Sequence, residues 1–480
     1  MHPSFSFSVF IISAGRVVQI VAGLLAVRLF TSMLSTAEVG NLYLVNSLVA
    51  FFGFALLNPV GMYIHRKLNR WVGDGTLLDR FSLFNGYVMA VALLSVPVVV
   101  VLNRGLAVGG GTELGQLLLY VAIYLYVNTW NQMIVATFNL LEHRVSFVGY
   151  TALTTLAGLA LSVLLVIWSH TAIWWLAGQV AAQVVVTLAA FVHLRRILGQ
   201  RVDLSRTRAE LTRGNLRNVM SFVAPLSATT LLIWLQSQSY RLIIENRIGL
   251  EFLGKIGLGF SIASNIAAAV ESVAQQVYLP SFYREVSGGD GATRGNACNR
   301  MFQRTLPAFL AQALAVTCLA PFLVRLLAHA KFEGAFIFVM YAAWIELFRM
   351  TTGLLTIAAH AEMKTKYMVK AYLIGSVLAV AGVFAGTYTG LYEQVIPASL
   401  LVAGFVSMSL MFVEMKKIVR VKVGIRQIIV SGLFTLPCAG ALIFFPLRKS
   451  IVGSLLVTVV AGAYILIVQY CIYRRATAEG

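Results

Sequence analysis

The residues of this chain that can do chemistry are few, and most are charges set inside long apolar runs. Arg16 lies in the first run, with Gln19 at i+3 and Gly23 a turn further along the same helical face. A guanidinium stays charged at all working pH and donates through a planar fork that matches phosphate. Arg16 therefore reads as a cationic anchor for an anionic substrate, or as an arginine that snorkels to an interface. Arg28 and Arg241 stand near the outer ends of the first and seventh runs, where they can flank a cavity as further cations or snorkel in the same way. Arg241 also has Glu245 at i+4 as a local partner.

Acids inside the apolar runs are confined to the second half of the chain. Glu271 lies in the eighth run with Gln275 at i+4, and a carboxylate in such a place can carry a proton or hold a coupling ion. Glu346 and Arg349, at i and i+3 of the tenth run, can neutralise each other structurally or act together in gating. Before residue 218 every acid falls in a loop or at a helix end, so the first half offers only cations to a lumen. That balance suits phosphate or pyrophosphate and repels organic cations.

Asn128, Trp130, Asn131 and Gln132 on the fourth run, with Tyr120, Tyr124, Trp174, Gln179 and Gln183 near them, offer amides and aromatic faces to sugar hydroxyls and rings. The same residues also suit interhelical hydrogen bonds and interfacial belts. No catalytic constellation accompanies them: the sequence has no GxxxxGK[ST], HExxH or GxSxG. Cys298, Cys318, Cys438 and Cys471 are scattered without metal-ligand or disulfide spacing. The expectation is a protein that is not an enzyme, with no catalytic or metal residues and no cofactor beyond a coupling H+ or Na+.

Composition dictates the elements that must position these groups. Of 480 residues, 59% are hydrophobic and 11% charged, whereas soluble domains carry about 25% charged residues. Apolar stretches of about 20 residues recur along the whole chain, which predicts about fourteen transmembrane helices. They are too long, and apolar on too many faces, for barrel strands. The expected spans begin near residue 8 and end near residue 473, with a basic segment from Arg195 to Asn218 between the sixth and seventh. The Gly-rich stretch Ser287 to Ala297 reads as a mobile loop, and Gly382, Gly386 and Gly390 read as a close-packing stripe.

Most of the 37 Lys and Arg fall in alternate loops on one side, against only Arg104, Arg247, Lys255, Lys331, Arg448 and Lys449 on the other. The positive-inside rule puts the rich side, and both termini, in the cytoplasm. The net charge of +19 is thereby a topology signal with affinity for anionic lipid, and calls for no nucleic acid. The short outer loops leave little room for the water-exposed active site of a membrane transferase or polymerase.

The turn after the first span recurs after the seventh: Leu34, Val39, Gly40 and Leu42 correspond to Ile248, Leu253, Gly254 and Ile256. Both copies enter with the same polarity, so the repeat is parallel, an arrangement that places a substrate site between two halves of a transporter. The expected organisation is an all-α membrane protein with a six-helix bundle over 1–200, a basic linker over 201–217, a second six-helix bundle over 218–415, and an accessory two-helix segment with a cytoplasmic tail over 416–480.

The stretch from Arg16 to Trp71, with its Arg-bearing first helix, the turn Leu34-Ser35-x-x-Glu38-x-Gly40 followed by Tyr43, and a basic loop after the second helix, resembles the opening of Wzx-type polysaccharide-biosynthesis exporters. Tyr43 falls one place later than in that pattern. These exporters belong to the multidrug/oligosaccharidyl-lipid/polysaccharide (MOP) superfamily. The resemblance implies two six-helix bundles with two extra helices in a V-shaped, alternating-access transporter of the bacterial inner membrane. It implies flipping of an undecaprenyl-pyrophosphate-linked oligosaccharide for O-antigen, capsule or exopolysaccharide, with a polymerase and chain-length regulator as further partners. Arg16, Arg28 and Arg241 would then hold pyrophosphate, while Gln19, Asn128, Trp130, Asn131 and Gln132 would contact glycan. The alternatives are a drug antiporter or lipid-linked peptidoglycan-precursor flippase of the same superfamily and, less favoured, a membrane glycosyltransferase or polymerase.

Overall fold

In a bilayer core nothing but the chain itself can satisfy backbone N–H and C=O groups, so long apolar runs must form helices. The computed structural model describes residues 3–106, 108–109, 111–200, 202–203, 207, 212–288, 291–362, 364, 366–419, 421 and 424–478. Within its helices the side chains of 3–10, 12–14, 16, 106, 277, 280–281, 283–284, 286–288, 291–292, 361 and 469–478 lie outside that description. The described residues are helical, with no strand among them.

Twelve helical segments among the described residues are long and apolar enough to cross a membrane. Helix α1 (Pro3–Met33) adds a shorter apolar stretch, Val17–Met33. Helix α5 (Leu114–Leu140) matches the others in length but is diluted by Asn128, Asn131 and Gln132. With these two the count meets the about fourteen spans that bilayer thickness predicts from the sequence.

The chain divides into two compact units, Met1–Trp234 with Ile244–Gly254, and Leu235–Ile243 with Lys255–Gly480. The segment expected as a linker leads into α8 (Arg213–Ser237), which packs with the first unit as far as Trp234. Most of residues 201–211 lie outside the described set.

In the first unit, α2 (Thr36–Phe52) runs through a π-helical turn (Gly53–Leu57) into α3 (Asn58–Gly73). Pro59 explains the turn, because it supplies no N–H and its ring crowds the preceding carbonyls. Side chains satisfy carbonyls of this turn: Thr230 Oγ1 donates to Phe54 O at 2.6 Å and Tyr87 Oη to Leu56 O at 2.9 Å. Helices α4 (Leu77–Leu106), α5, α6 (Arg144–Trp168) and α7 (Ala172–Leu198) complete the unit, with α6 packed on α7 and on α1. Lipid tails are as apolar as leucine, so close backbone approach replaces the hydrophobic effect between such helices. Gly178 of α7 lies directly against the backbone of Ser162, whose hydroxyl donates to Trp175 O at 2.7 Å.

In the second unit the expected seventh span is interrupted, since a turn at residues 238–239 separates α8 from α9 (Tyr240–Arg247). Helices α10 (Leu250–Gly288) and α11 (Gly291–Leu327) extend almost to each other, so the stretch expected as a Gly-rich loop is largely helical. Its glycines lower helix propensity only by about 1 kcal/mol each, which the flanking helices outweigh. Helices α12 (Phe336–Ala361), α13 (Lys366–Gly386) and α14 (Tyr392–Lys416) follow, with α13 on α14 the most extensive pairing. Gly382 meets Ser399 and Gly386 meets Ile396 there, as the glycine stripe predicts, but Gly390 has no neighbour and Gly375, against Ser407, takes its place. The accessory segment is α15 (Ile425–Thr435), a 3-10 stretch (Leu436–Lys449) bearing Pro437 and Pro446, and α16 (Ile451–Ala478); both helices pack on α11.

Candidate functional site

An ion-pair cluster in the second unit joins Glu271 of α10 to Glu346 and Arg349 of α12. Arg349 donates from Nη2 to Glu271 Oε2 at 2.9 Å and from Nε to Glu346 Oε2 at 2.5 Å. Gln275 donates to the other oxygen of Glu271 at 3.4 Å. One arginine thus bridges two carboxylates in apolar helices, a cluster of net charge −1 when all three ionise. A lone charge at mid-membrane costs about 2.5–3.5 kcal/mol, so the cluster is stable only because its members compensate one another. Arg349 remains 43% exposed while its partners are 21% and 13% exposed, so the guanidinium keeps an open side. The i, i+3 pairing was legible in the sequence; the addition of Glu271 was not.

In the first unit, α5 and α7 assemble an amide ladder. Gln132 and Gln183 both donate to Asn128 Oδ1, at 3.3 and 3.4 Å. Tyr120 and Tyr124 stack one turn away, with ring centroids 5.4 Å apart. Asn128 and Gln132 are at least partly exposed, in keeping with groups that can meet a hydroxylated ligand. Asn131 and Trp130 are buried instead. Asn131 is buried and donates to Thr187 at 3.0 Å and Thr154 at 3.3 Å. Trp130 is buried and donates to Asn85 Oδ1 at 3.0 Å, an oxygen that also accepts from Tyr126. Two of the four adjacent glycan candidates therefore serve helix–helix bonds, because successive residues on a helix point in different directions. Asn85, the lone amide in its stretch of α4, was missed; with Trp130, Tyr126, Phe81, Thr187 and Phe191 it lines a cavity of about 390 Å³.

The cations are distributed along several elements. Arg16 is on α1, with its side chain outside the described residues. Gln19 and Arg28 are half-buried on the same helix. Arg241, in the second unit, holds its guanidinium over the Tyr240 ring at 5.6 Å and donates to the Tyr240 hydroxyl at 3.2 Å. Glu245 accepts from the backbone N–H of Gly109 at 2.6 Å.

The motif after the first span has a physical account. Ser35 caps α2 by accepting from Glu38 N, and the Glu38 carboxylate accepts from Ala172 N at 2.6 Å, at the positive N-terminus of α7. A side chain on Gly40 would strike the carbonyl of Leu250, and one on Gly254 would strike that of Thr36. The two corresponding glycines of the internal repeat therefore face each other reciprocally, each against the residue four before the other, as a local two-fold requires.

No protein-family model matches the chain, and no curated protein matches it in sequence. Solved structures do match in fold. The lipid II flippase MurJ in an inward closed conformation aligns over 99% of this chain and 99% of its own, with TM-score 0.66 and 12% identity. An inward-facing multidrug resistance MATE-family transporter of the MOP superfamily aligns over 83% of this chain and 94% of its own, with TM-score 0.59 and 14% identity. Its outward-facing counterpart gives 84%, 92%, 0.51 and 14%. The chain thus shares the fold of these solved structures.

Proposed function

We propose that this protein is a flippase for a lipid-linked oligosaccharide, an undecaprenyl-pyrophosphate-linked repeat unit moved from the cytoplasmic to the periplasmic leaflet of the bacterial inner membrane. The observation that carries the reading is the extent of the fold match. The chain aligns with the lipid II flippase over 99% of both lengths, whereas the multidrug transporter leaves 17% of it uncovered. The scarcity of acids in the spans of the first unit supports an anionic rather than a cationic cargo.

In this reading pyrophosphate is held by arginines, with Arg16, Arg28 and Arg241 as the proposed set, while the prenyl tail remains in lipid. Sugar hydroxyls meet the ladder of Asn128, Gln132 and Gln183. Glu271 with Glu346 and Arg349 forms the ion-coupling site, at which a proton or sodium ion couples to the cargo, provided the ion binds the two conformations unequally. The polymerase and chain-length regulator of the same polysaccharide are the proposed partners, and both termini lie in the cytoplasm.

The test is flipping of a fluorescent undecaprenyl-pyrophosphate oligosaccharide in proteoliposomes. We expect translocation without change in the lipid's mass, lost in Arg16→Ala and partly kept in Arg16→Lys. Translocation unaffected by either substitution would remove Arg16 from the site. No translocation by folded protein would favour the drug-antiporter reading, and a change in mass would point to a transferase.

A further inference from the structure

The Glu271–Arg349–Glu346 cluster has an asymmetry that gives it a more specific task. Glu346 accepts from Nε of Arg349, the inner edge of the guanidinium, and both residues sit on α12 one turn apart. Glu271 comes from another helix and accepts from Nη2, at the tip. The Glu346 contact is therefore local to one helix, while the Glu271 contact occupies the end of the fork that a second anion would need. The other Glu271 oxygen accepts a long bond from Gln275 and lies beside Gly353. The titratable group facing the cluster from α13 is Tyr372, close enough to feel both Glu271 and Arg349. Two carboxylates against one guanidinium leave one negative charge, and a single proton removes it.

We propose that Arg349 is an anion-binding residue gated by one proton on Glu271. With Glu271 ionised, Nη2 is occupied and the anion is refused. When Glu271 takes a proton on Oε1 it becomes a weaker acceptor, and Nη2 turns to a phosphate oxygen while Glu346 keeps the guanidinium in place through Nε. One proton is then bound with each anion that Arg349 takes, so phosphate occupancy and proton uptake rise together. This inference rests on the flippase reading only in taking the cargo to carry a phosphate.

Calorimetry of the purified full-length protein with inorganic pyrophosphate tests it. Titrations in two buffers of different ionisation heat give the protons taken up on binding. The probe's own protonation is common to all variants and cancels in the comparison. Wild type should take up about one proton more than Glu271→Gln, and Glu271→Gln should gain about tenfold in relative affinity per pH unit above the wild-type transition. Arg349→Gln should weaken the binding and lose the linkage. Glu346→Gln should keep the linkage, since its role is to hold Nε. Equal proton counts in wild type and Glu271→Gln, loss of linkage in Glu346→Gln, or unaltered binding in Arg349→Gln would each overturn the proposal. Linked binding by a protein that flips no glycolipid would keep it and overturn the flippase reading; flipping with no linkage would do the reverse.

Discussion

Arg349 illustrates how one side chain's worth depends on what its removal leaves behind. Arg349→Ala strands two carboxylates in apolar helices. Breaking a fully buried pair costs about 3–5 kcal/mol; with the guanidinium 43% exposed we expect roughly 1–3. Glu346→Gln removes the surplus negative charge instead and should cost less, and thermal unfolding of the two purified variants should rank them in that order. At Asn131 the prediction is of stability alone. Asn131→Ala deletes bonds to Thr187 and Thr154 and should cost about 1–2 kcal/mol, with the proposed glycolipid flipping by the folded fraction unchanged. The sequence made Asn128, Asn131 and Gln132 equivalent as amides on one helix. Only the neighbouring α6 and α7 distinguish them: Asn131 donates to Thr154 and Thr187, whereas Asn128 accepts from Gln183.

At the scale of elements, the π turn between α2 and α3 and the α6–α7 contact give contrasting tests. Thr230→Val leaves Phe54 O without its 2.6 Å donor, and we expect a loss of about 1–3 kcal/mol with the helix intact, read by thermal unfolding. Gly178→Leu would drive a side chain into the Ser162 backbone, which cannot yield. That variant should fail to accumulate as a monodisperse protein, whereas Gly390→Leu, with open space around Gly390, should be tolerated. Prolines and glycines mark such places in the sequence without saying which matter. Pro59 interrupts the α ladder wherever it stands, while Gly390 looked the equal of Gly382 until the partner helix was in place.

For the whole molecule, the accessory segment beyond α14 is the part that lies outside the two expected six-helix bundles. Its helices pack on α11, whose apolar stretch is the most buried of the twelve candidate spans. Truncation after Lys416 should uncover α11 to lipid rather than to water, so the rest of the chain should still insert. If the segment serves a lipid-linked cargo, the truncated protein should lose glycolipid flipping while retaining pyrophosphate binding by calorimetry. Unimpaired flipping would make the segment dispensable.

Hydropathy and charge in the sequence alone were enough to specify a polytopic helical protein, its number of spans and the parallel recurrence of the turn around Gly40 and Gly254. These follow from the solvent: a bilayer demands helices of one length, and its price on charge makes every intramembrane Arg or Glu conspicuous. The tertiary structure decided which of those residues meet. Glu271 joins Glu346 and Arg349 across two helices, Gln183 joins Asn128, and Glu38 serves the start of α7. No local pattern encodes these pairings, since lipid is nearly indifferent to which apolar faces touch. Small residues, freed carbonyls and unpaired charges select the partners once the helices are side by side.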